Sequence, residues 1–300
     1  MTAHAGADDE FAMLSENAAE AGVPAGTLPA HRTATTTPAG RVSAIRWGAG
    51  APQVVFLHGG GQNAHTWDTV VLGVGVPALA VDLPGHGHSD WREDSDYSPG
   101  VNAATVAAAL DALDVAGVPV VGMSLGGLTA IALAARRPDT VSRLVVVDVT
   151  PSVMARVEGM TTRQRGTTTL VAGPRAFDDV EDMIAAASAA APDRPPASIR
   201  RGVLHNSRRL PDGRWAWRYD RQQASPEVYE RLWDDVAAIR APITLVRGGD
   251  SPFVGDDDVA EFVRRRPDLT VEVVAGAGHS VQSDRPRELA ALVRAALDLG

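Results

Sequence analysis

The stretch "VPVVGMSLGGLTAIALAARRP", residues 118–138, joins two apolar segments of different character. Its short first part predicts a buried strand over 118–124, and its longer second part predicts a helix over 125–137 that ends before Pro138. Ser124 lies where the two meet, with Gly122 and Gly126 two residues away on either side. Because ligand sites of α/β sheets form where the strands end, this hydroxyl is a candidate functional group.

The five residues from Gly122 to Gly126 fit the pattern G-x-S-x-G, in which a serine occupies a sharp turn between strand and helix. Such a serine takes a strained backbone conformation, and side chains two residues away on either side would collide. Glycine at both positions removes that collision. The first turn of the helix also offers free N–H groups, so the N–H of Leu125 is a candidate donor to an oxyanion. Ser124 is therefore predicted to be a nucleophile.

The composition excludes several classes of chemistry. The chain has 300 residues with no cysteine, and its 28 basic residues are all arginines. Thiolate nucleophiles and cysteine-bound zinc are excluded by the first absence. The absence of lysine excludes Schiff-base chemistry and the P-loop lysine. No metal and no cofactor is expected.

The charge and the N-terminus bear on partners and location. A net charge of −9 disfavours binding to nucleic acid or to anionic lipid. The first 22 residues are acidic and lack the basic start and apolar centre of a signal peptide. The apolar stretch 118–138 contains Pro119 and several glycines, which argue against a membrane span. We expect a soluble, cytoplasmic protein with a small-molecule substrate, and the oligomeric state stays open.

The pattern along the chain predicts a doubly wound α/β fold with a mostly parallel sheet. Apolar runs without alternation are typical of parallel strands that are covered on both faces. Besides 118–124, strands are predicted at 41–48, 53–59, 78–85, 142–149, 241–250 and 269–276, and helices at 101–113, 256–266 and 284–298. Between 151 and 236 helices and loops are predicted instead, with a turn at Asp212–Gly213 and a short extended piece within 210–220. The expected division is an N-terminal extension (1–30, with a helix at about 8–21), a core (31–150 and 237–300) and a helical cap (151–236).

A serine nucleophile needs a histidine base and a carboxylate that orients it. Two histidines follow Ser124, and His279 in "GAGHS" is preferred to His205 because it follows the last predicted strand on a short loop. Asp250 in "VRGGD" ends the preceding strand and is the predicted acid. Asp148 in "VVVDV" ends the strand before the insertion and is the alternative acid.

The glycines of "FLHGGGQNAHTW", residues 56–67, allow a backbone to approach a substrate closely. The N–H of Gly60, or else that of Gly61, is predicted to be the second oxyanion donor. The same glycines also fit the dinucleotide-binding pattern, with Asp82 about twenty residues further on. That alternative predicts an NAD(P)-binding oxidoreductase. It is disfavoured because it leaves Ser124, Asp250 and His279 without a role.

Together the motifs "HGGGQNAHTW", "DLPGHGHSD", "GMSLGG", "RGGD" and "GAGH" resemble the α/β-hydrolase superfamily in their order and strand-end contexts. The resemblance covers about 35–150 and 237–300, and it implies a cap between the sixth and seventh strands of that fold. It implies a serine hydrolase with Ser124, His279 and Asp250 as its triad and Gly60 and Leu125 as oxyanion donors. His86 and His88 are then structural. Because this fold hosts many chemistries, the resemblance does not identify the substrate.

The expected reaction is hydrolysis of a small, largely apolar carboxylic ester, lactone or thioester through an acyl-enzyme. The alternatives are an amidase or a C–C bond hydrolase of the same fold, and a ligand-binding receptor without turnover. Aromatic and apolar side chains commonly line small-molecule pockets. On that basis the predicted pocket residues are His58, Met123, Met154, Trp215, Trp217, Trp233 and Phe253.

Overall fold

The computed structural model of the chain describes residues 10–221 and 226–298. Eight of its strands form one sheet in the order β1-β2-β4-β3-β5-β6-β9-β10, and β7 and β8 form a separate hairpin. The strands are β1 Ala30–Thr37, β2 Gly40–Trp47, β3 Val54–Leu57, β4 Ala78–Val81, β5 Val118–Met123, β6 Val141–Val147, β7 Ser207–Arg209, β8 Trp215–Trp217, β9 Ile243–Gly248 and β10 Thr270–Val274. All pairs from β4 to β10 across the large sheet are parallel, whereas β2 is antiparallel to both of its neighbours. The mostly parallel sheet agrees with the prediction.

Helices connect the strands and cover both faces of the sheet. The α-helices are α1 Leu14–Ala21, α2 Asp68–Val74, α3 Pro99–Ala112, α4 Leu125–Arg136, α5 Val153–Glu158, α6 Thr162–Arg165, α7 Val180–Ala190, α8 Pro196–His205, α9 Pro226–Glu230, α10 Leu232–Ala238, α11 Asp256–Arg265, α12 Val281–Asp284 and α13 Pro286–Ala296. Two 3₁₀ helices, η1 Ala64–Trp67 and η2 Gly166–Ala172, complete the described elements. Within the described residues, none of these helices has the length and hydropathy to cross a bilayer.

Strands β3, β4 and β5 have no polar side chain because each of their faces is buried in a separate cluster. In β5, Val120 packs with Leu128 and Ile131 of α4 on one face. Val121 points the other way and packs with residues of α2 and α13 such as Val71. Alternate side chains of a strand point to opposite faces, so a strand between two helical layers must be apolar throughout. This is the reason that the pattern predicts the strand type correctly.

The segment between β6 and β9 contains helices α5 to α10 and the hairpin β7–β8. Part of it has a small apolar cluster of its own, which includes Met183, Ile199 and Trp217. Its last part is different, because Leu232 and Trp233 of α10 are buried in the same cluster as α3 and α4. The predicted cap therefore ends in a helix that packs as part of the core.

The N-terminal segment is attached to both the core and the insertion. Asn17 of α1 donates a hydrogen bond to Thr69 Oγ1 in α2 at 2.9 Å. Glu16 and Glu20 form ion pairs with Arg201 of α8. Residues 1–9 of the predicted extension lie outside the described residues. β1 is not predicted from hydrophobic periodicity because its sequence, AHRTATTT, is polar on both faces.

Candidate active site

Ser124 lies between β5 and α4 with φ 50° and ψ −120°, in the left-handed region that residues with a side chain rarely adopt. The two flanking glycines are required by close backbone contacts. A Cβ on Gly122 would lie 2.4 Å from the carbonyl oxygen of Gly126, and a Cβ on Gly126 would lie 2.2 Å from that of Leu57. The strained turn therefore depends on glycine at both positions, as the sequence pattern predicts.

His279 follows β10, and its ring lies between two polar partners. Its Nε2 is 3.1 Å from Ser124 Oγ, and its Nδ1 is 2.8 Å from Asp148 Oδ2. Phe253 stacks on the ring, with 3.6 Å between centroids and 13° between planes. These contacts fix the ring so that one nitrogen faces the hydroxyl and the other faces the carboxylate.

The carboxylate beside His279 belongs to Asp148, so the prediction that Asp250 occupies this place is wrong. Asp148 is fully buried, and its Oδ1 accepts the N–H of Gly248 at 2.9 Å. The hydroxyl of Ser251 donates a further hydrogen bond to Oδ2. Asp250 is exposed, and its carboxylate pairs with no group of residues 10–221 and 226–298. Its backbone N–H is bonded to Ala277.

The sheet explains why Asp148 is the nearer carboxylate. β5 and β6 are neighbours in register, with Met123 opposite Val147. Ser124 and Asp148 each follow these paired residues, so both side chains emerge at the same edge of the sheet. Asp250 follows Gly248, the last residue of β9, by two positions and lies further along a turn. Gly248 and Ser251 hold Asp148, and no sequence pattern indicates this role for either residue.

The loop after β3 brings a backbone amide close to the start of α4. A Cβ on Gly60 would lie 3.9 Å from Leu125 Cβ. The N–H groups of Gly60 and Leu125 have no hydrogen-bond partner in the described part of the chain. The N–H of Gly61 differs, because it donates to His86 Nε2 at 3.1 Å. The geometry therefore favours Gly60 over Gly61 as the partner of Leu125 in an oxyanion site.

A cavity of about 160 Å³ opens above Ser124 and His279. Two of the predicted pocket residues, Met123 and Trp217, line it. Its walls also include residues of α1, η2 and α8 that were not predicted: Asn17, Glu20, Leu170, Val171, Ile199, Arg201 and Val203. The apolar members of this list come from the insertion, so the wall that faces a substrate is made largely by that segment.

The other predicted pocket residues lie elsewhere. His58 is buried under the loop, where its Nε2 accepts the N–H of Leu83 at 2.9 Å. Trp233 packs edge to face on Phe262 in the core, and Met154 packs against the same cluster. None of these three lines the cavity, and neither does Trp215, which packs within the insertion. Phe253 contacts His279 rather than the cavity. Hydrophobicity alone does not distinguish a pocket wall from a core.

The dinucleotide-binding alternative is inconsistent with the surroundings of Asp82. This carboxylate is fully buried, and its oxygens accept hydrogen bonds from Arg32 Nη1 and from the N–H groups of Ala64 and His88. An aspartate that binds a ribose hydroxyl must be accessible. Asp82 therefore has a structural role, because it holds the backbone at Ala64 and at His88.

One group of side chains within the described ranges has the composition of a metal site. Ligand atoms of His65, Asp68 and His205 lie within 4.8 Å of one another. However, His65 Nδ1 is already bonded to Asp68 at 2.8 Å, and the rings of His65 and His205 are stacked 3.8 Å apart. Burial opposes protonation of His65, but the charge and hydrogen bond of Asp68 outweigh it and raise its pKa to about 9. A protonated imidazole has no lone pair for a metal.

The buried histidines predict how stability depends on pH. Burial lowers the pKa values of His58 and His205 to about 3, from about 6.5 in an unfolded chain. Below pH 6.5 the unfolded chain therefore takes up protons that the folded protein does not. At pH 5 this lowers the free energy of unfolding by about 2 kcal/mol for each of the two histidines. His65 acts oppositely, since its contribution is complete below pH 6.5 and is lost as the pH rises towards 9.

We therefore expect the thermal midpoint to be highest near pH 6.5 and to fall on both sides, which circular dichroism between pH 5 and 9 would measure. His205→Gln should reduce the loss between pH 6.5 and 5, because glutamine does not titrate. His31→Gln is the matched control, since His31 is exposed, and it should leave the profile unchanged. A midpoint that stays constant from pH 6.5 to 5 would contradict this account.

The chain is similar in sequence and in structure to known proteins. The model of the alpha/beta hydrolase family matches residues 54–292. Esterase Rv0045c of Mycobacterium tuberculosis is 57% identical over 291 residues, which cover 97% of this chain and 96% of the esterase. A solved structure of that esterase has a TM-score of 0.86 and covers 98% of this chain and 100% of its own.

Two more distant relatives are similar to this chain, one in sequence and one in fold. Lipase LipV of the same organism is 30% identical and covers 84% of this chain and 96% of the lipase. The structure of E-2-(acetamidomethylene)succinate hydrolase has a TM-score of 0.75 at 24% identity, covers 89% of this chain and 100% of its own, and is similar in fold. The predicted family and fold class are confirmed by these matches. The chain belongs to the alpha/beta hydrolase family.

Proposed function

We propose that the protein hydrolyses carboxylic esters through an acyl-enzyme on Ser124. The observation that carries this proposal is the chain of hydrogen bonds from Ser124 Oγ through His279 to the buried Asp148. A nucleophile, a base and an orienting carboxylate in this order are the requirement for acyl transfer. The 57% identity with a mycobacterial esterase supports ester bonds as the target.

The acylation step follows from the positions of these groups. His279 Nε2 accepts the proton of Ser124 as Oγ attacks the ester carbonyl. The developing oxyanion is held by the N–H groups of Gly60 and Leu125, which have no other partner among the described residues. The C–O bond to the alcohol then breaks, and the leaving oxygen takes the proton from His279. Asp148 stabilises the imidazolium during this step and keeps the proton of neutral His279 on Nδ1.

Deacylation repeats the sequence with water. His279 removes a proton from a water molecule, which attacks the acyl carbonyl of the Ser124 ester. The second tetrahedral intermediate collapses, Ser124 Oγ takes the proton back from His279, and the carboxylic acid leaves. No step of this sequence needs a metal or a redox group.

We propose that the segment 151–236 acts as a cap that selects a small, largely apolar substrate. The support is that its residues Leu170, Val171, Ile199 and Val203 face the same cavity as Ser124. An ester is preferred to a lactone, thioester or amide because the similar esterase and lipase act on esters by name. A cytoplasmic location, and a function without nucleic acid or membrane, stay predictions from the sequence.

The class of reaction can be tested by covalent labelling. A fluorophosphonate should modify the protein at one site, and mass spectrometry should place the adduct on Ser124. The labelled protein should lose its hydrolysis of p-nitrophenyl butyrate in proportion to the modified fraction. A folded protein that is neither labelled nor active would instead support the receptor alternative.

A further inference from the structure

Two aromatic side chains of the insertion form a wall of the catalytic cavity. Trp217 ends β8 and Tyr219 follows two residues later, so in extended chain both side chains lie on the same side. Their rings are stacked, with 5.9 Å between centroids and 14° between planes. Both residues line the cavity that contains Ser124, and they are only 7% and 8% exposed.

Both side chains carry a polar atom without a partner. Trp217 Nε1 and Tyr219 Oη are buried and make no hydrogen bond with any group of residues 10–221 and 226–298. Buried donors are nearly always paired, so each such exception calls for an explanation. Trp47 and Trp67 also have unpaired Nε1 atoms, but both are buried in the hydrophobic core and do not line the cavity.

Among the described residues, Asn17, His205 and Gln282 also line the cavity with an unpaired buried polar atom. The unpaired atoms of Asn17 and Gln282 are amide oxygens, which accept, and His205 is stacked on His65. Trp217 and Tyr219 instead form a stacked pair of donors, for which a bound substrate could supply the missing acceptor.

The position of Tyr219 relates this wall to the reacting carbonyl. A Cβ on Gly61 would lie 3.6 Å and 3.7 Å from Cε1 and Cζ of Tyr219, so the edge of the ring lies against Gly61. Gly61 is next to Gly60, whose N–H is the proposed oxyanion donor. The leaving alcohol must lie beside His279, which protonates it. The side of the cavity near Tyr219 is therefore left for the acyl part of the substrate.

The charges around the cavity favour a neutral ligand atom. Arg194 is paired with Asp284 at 3.0 Å, and Arg201 is paired with Glu16 and Glu20. His65, the third cationic side chain among the described residues of the cavity wall, is paired with Asp68 at 2.8 Å. These three cations are thus already neutralised by carboxylates. Burial also raises the pKa of Tyr219, so its hydroxyl stays protonated and remains a donor. Two neutral donors in a buried site suit an ether or carbonyl oxygen better than a carboxylate.

We propose that Trp217 Nε1 and Tyr219 Oη form a second polar subsite that binds a neutral oxygen acceptor in the acyl chain of the substrate. The preferred ester is therefore an oxygen-substituted acyl ester rather than a plain alkanoate. This inference rests on the proposed ester hydrolysis and adds a substrate class to it.

The test uses matched pairs of p-nitrophenyl esters. Hexanoate and octanoate are compared with analogues in which one methylene, at each position in turn, is replaced by an ether oxygen or a ketone. The wild-type protein should show a higher kcat/KM for the oxygen-bearing member at one position at least. Tyr219→Phe should lower kcat/KM for that ester about tenfold, the effect of one neutral hydrogen bond, and should change the alkanoate less than twofold.

Tyr97→Phe is the matched control, because the Tyr97 hydroxyl is bonded to Asp220 at 2.8 Å and Tyr97 does not line the cavity. It should change both esters by the same factor. Trp217→Phe should act on the oxygen-bearing ester in the same sense as Tyr219→Phe. Hydrolysis of alkanoates without a preference for any oxygen analogue, or an equal effect of Tyr219→Phe on both members, would overturn the subsite alone. Failure to hydrolyse both series would overturn the proposed function and the subsite with it.

Discussion

Replacing Ser124 with alanine should lower kcat for p-nitrophenyl butyrate by about 10⁴- to 10⁶-fold, the loss seen when a serine nucleophile is removed. The reason is that His279 Nε2, 3.1 Å from Ser124 Oγ, would then have no attacking oxygen to activate except water. The amides of Gly60 and Leu125 remain in the variant, so a small residual rate above the uncatalysed reaction is expected. Initial rates at saturating ester, divided by the concentration of folded protein, would measure the change.

The fold should survive this substitution. The side chain of Ser124 makes one hydrogen bond, and alanine tolerates the φ of 50° about as well as serine does. The thermal midpoint should therefore stay within about 3 °C of the wild-type value. Ser283→Ala is the matched control, since Ser283 also lines the cavity but does not contact His279, and it should retain turnover within a few-fold. Full activity of Ser124→Ala would contradict the role of Ser124.

The parts of the fold that sequence predicts well are those set by local physics. The strands around 118–124 are recognisable because burial on both faces requires apolar residues at every position. The turn at Ser124 is recognisable because its backbone tolerates only glycine at 122 and 126, where a Cβ would meet a carbonyl oxygen within 2.5 Å. Local constraints of this kind determine the residue types within a short stretch of sequence, so they can be recognised there.

The parts that sequence predicts poorly are set by contacts between distant segments. Asp148 and Asp250 both follow an apolar strand, and no local pattern tells which carboxylate faces His279. The choice depends on the pairing of β5 with β6 and on Ser251, which lies 103 residues from Asp148 and donates to it. For the same reason the sequence does not indicate that Asn17 and Glu20 of the N-terminal segment line the cavity. A tryptophan such as Trp233 occurs in cores and in pocket walls alike, so its residue type does not tell which of the two it belongs to.

Replacing Asp148 with asparagine should lower kcat about 10⁴-fold, because the change reverses the proton position on His279. The Oδ1 atom of Asp148 accepts the N–H of Gly248, so the amide oxygen of asparagine takes that place. The NH₂ group must then face His279 Nδ1, 2.8 Å away, and it can only donate. Nδ1 becomes the acceptor and Nε2 carries the proton, so His279 can no longer take the proton of Ser124.

Asp250→Asn is the matched control and decides between the two carboxylates. Asp250 is exposed and its side chain has no partner among the described residues, so this variant should keep kcat within twofold of the wild-type value. Both variants preserve side-chain volume, and their thermal midpoints should be compared with that of the wild type so that a loss of folding is not read as a loss of catalysis. A large loss with Asp250→Asn and a small one with Asp148→Asn would return the role to Asp250. The expected order follows from burial, because only a carboxylate shielded from water, as Asp148 is, can hold one tautomer of His279 against competition from solvent.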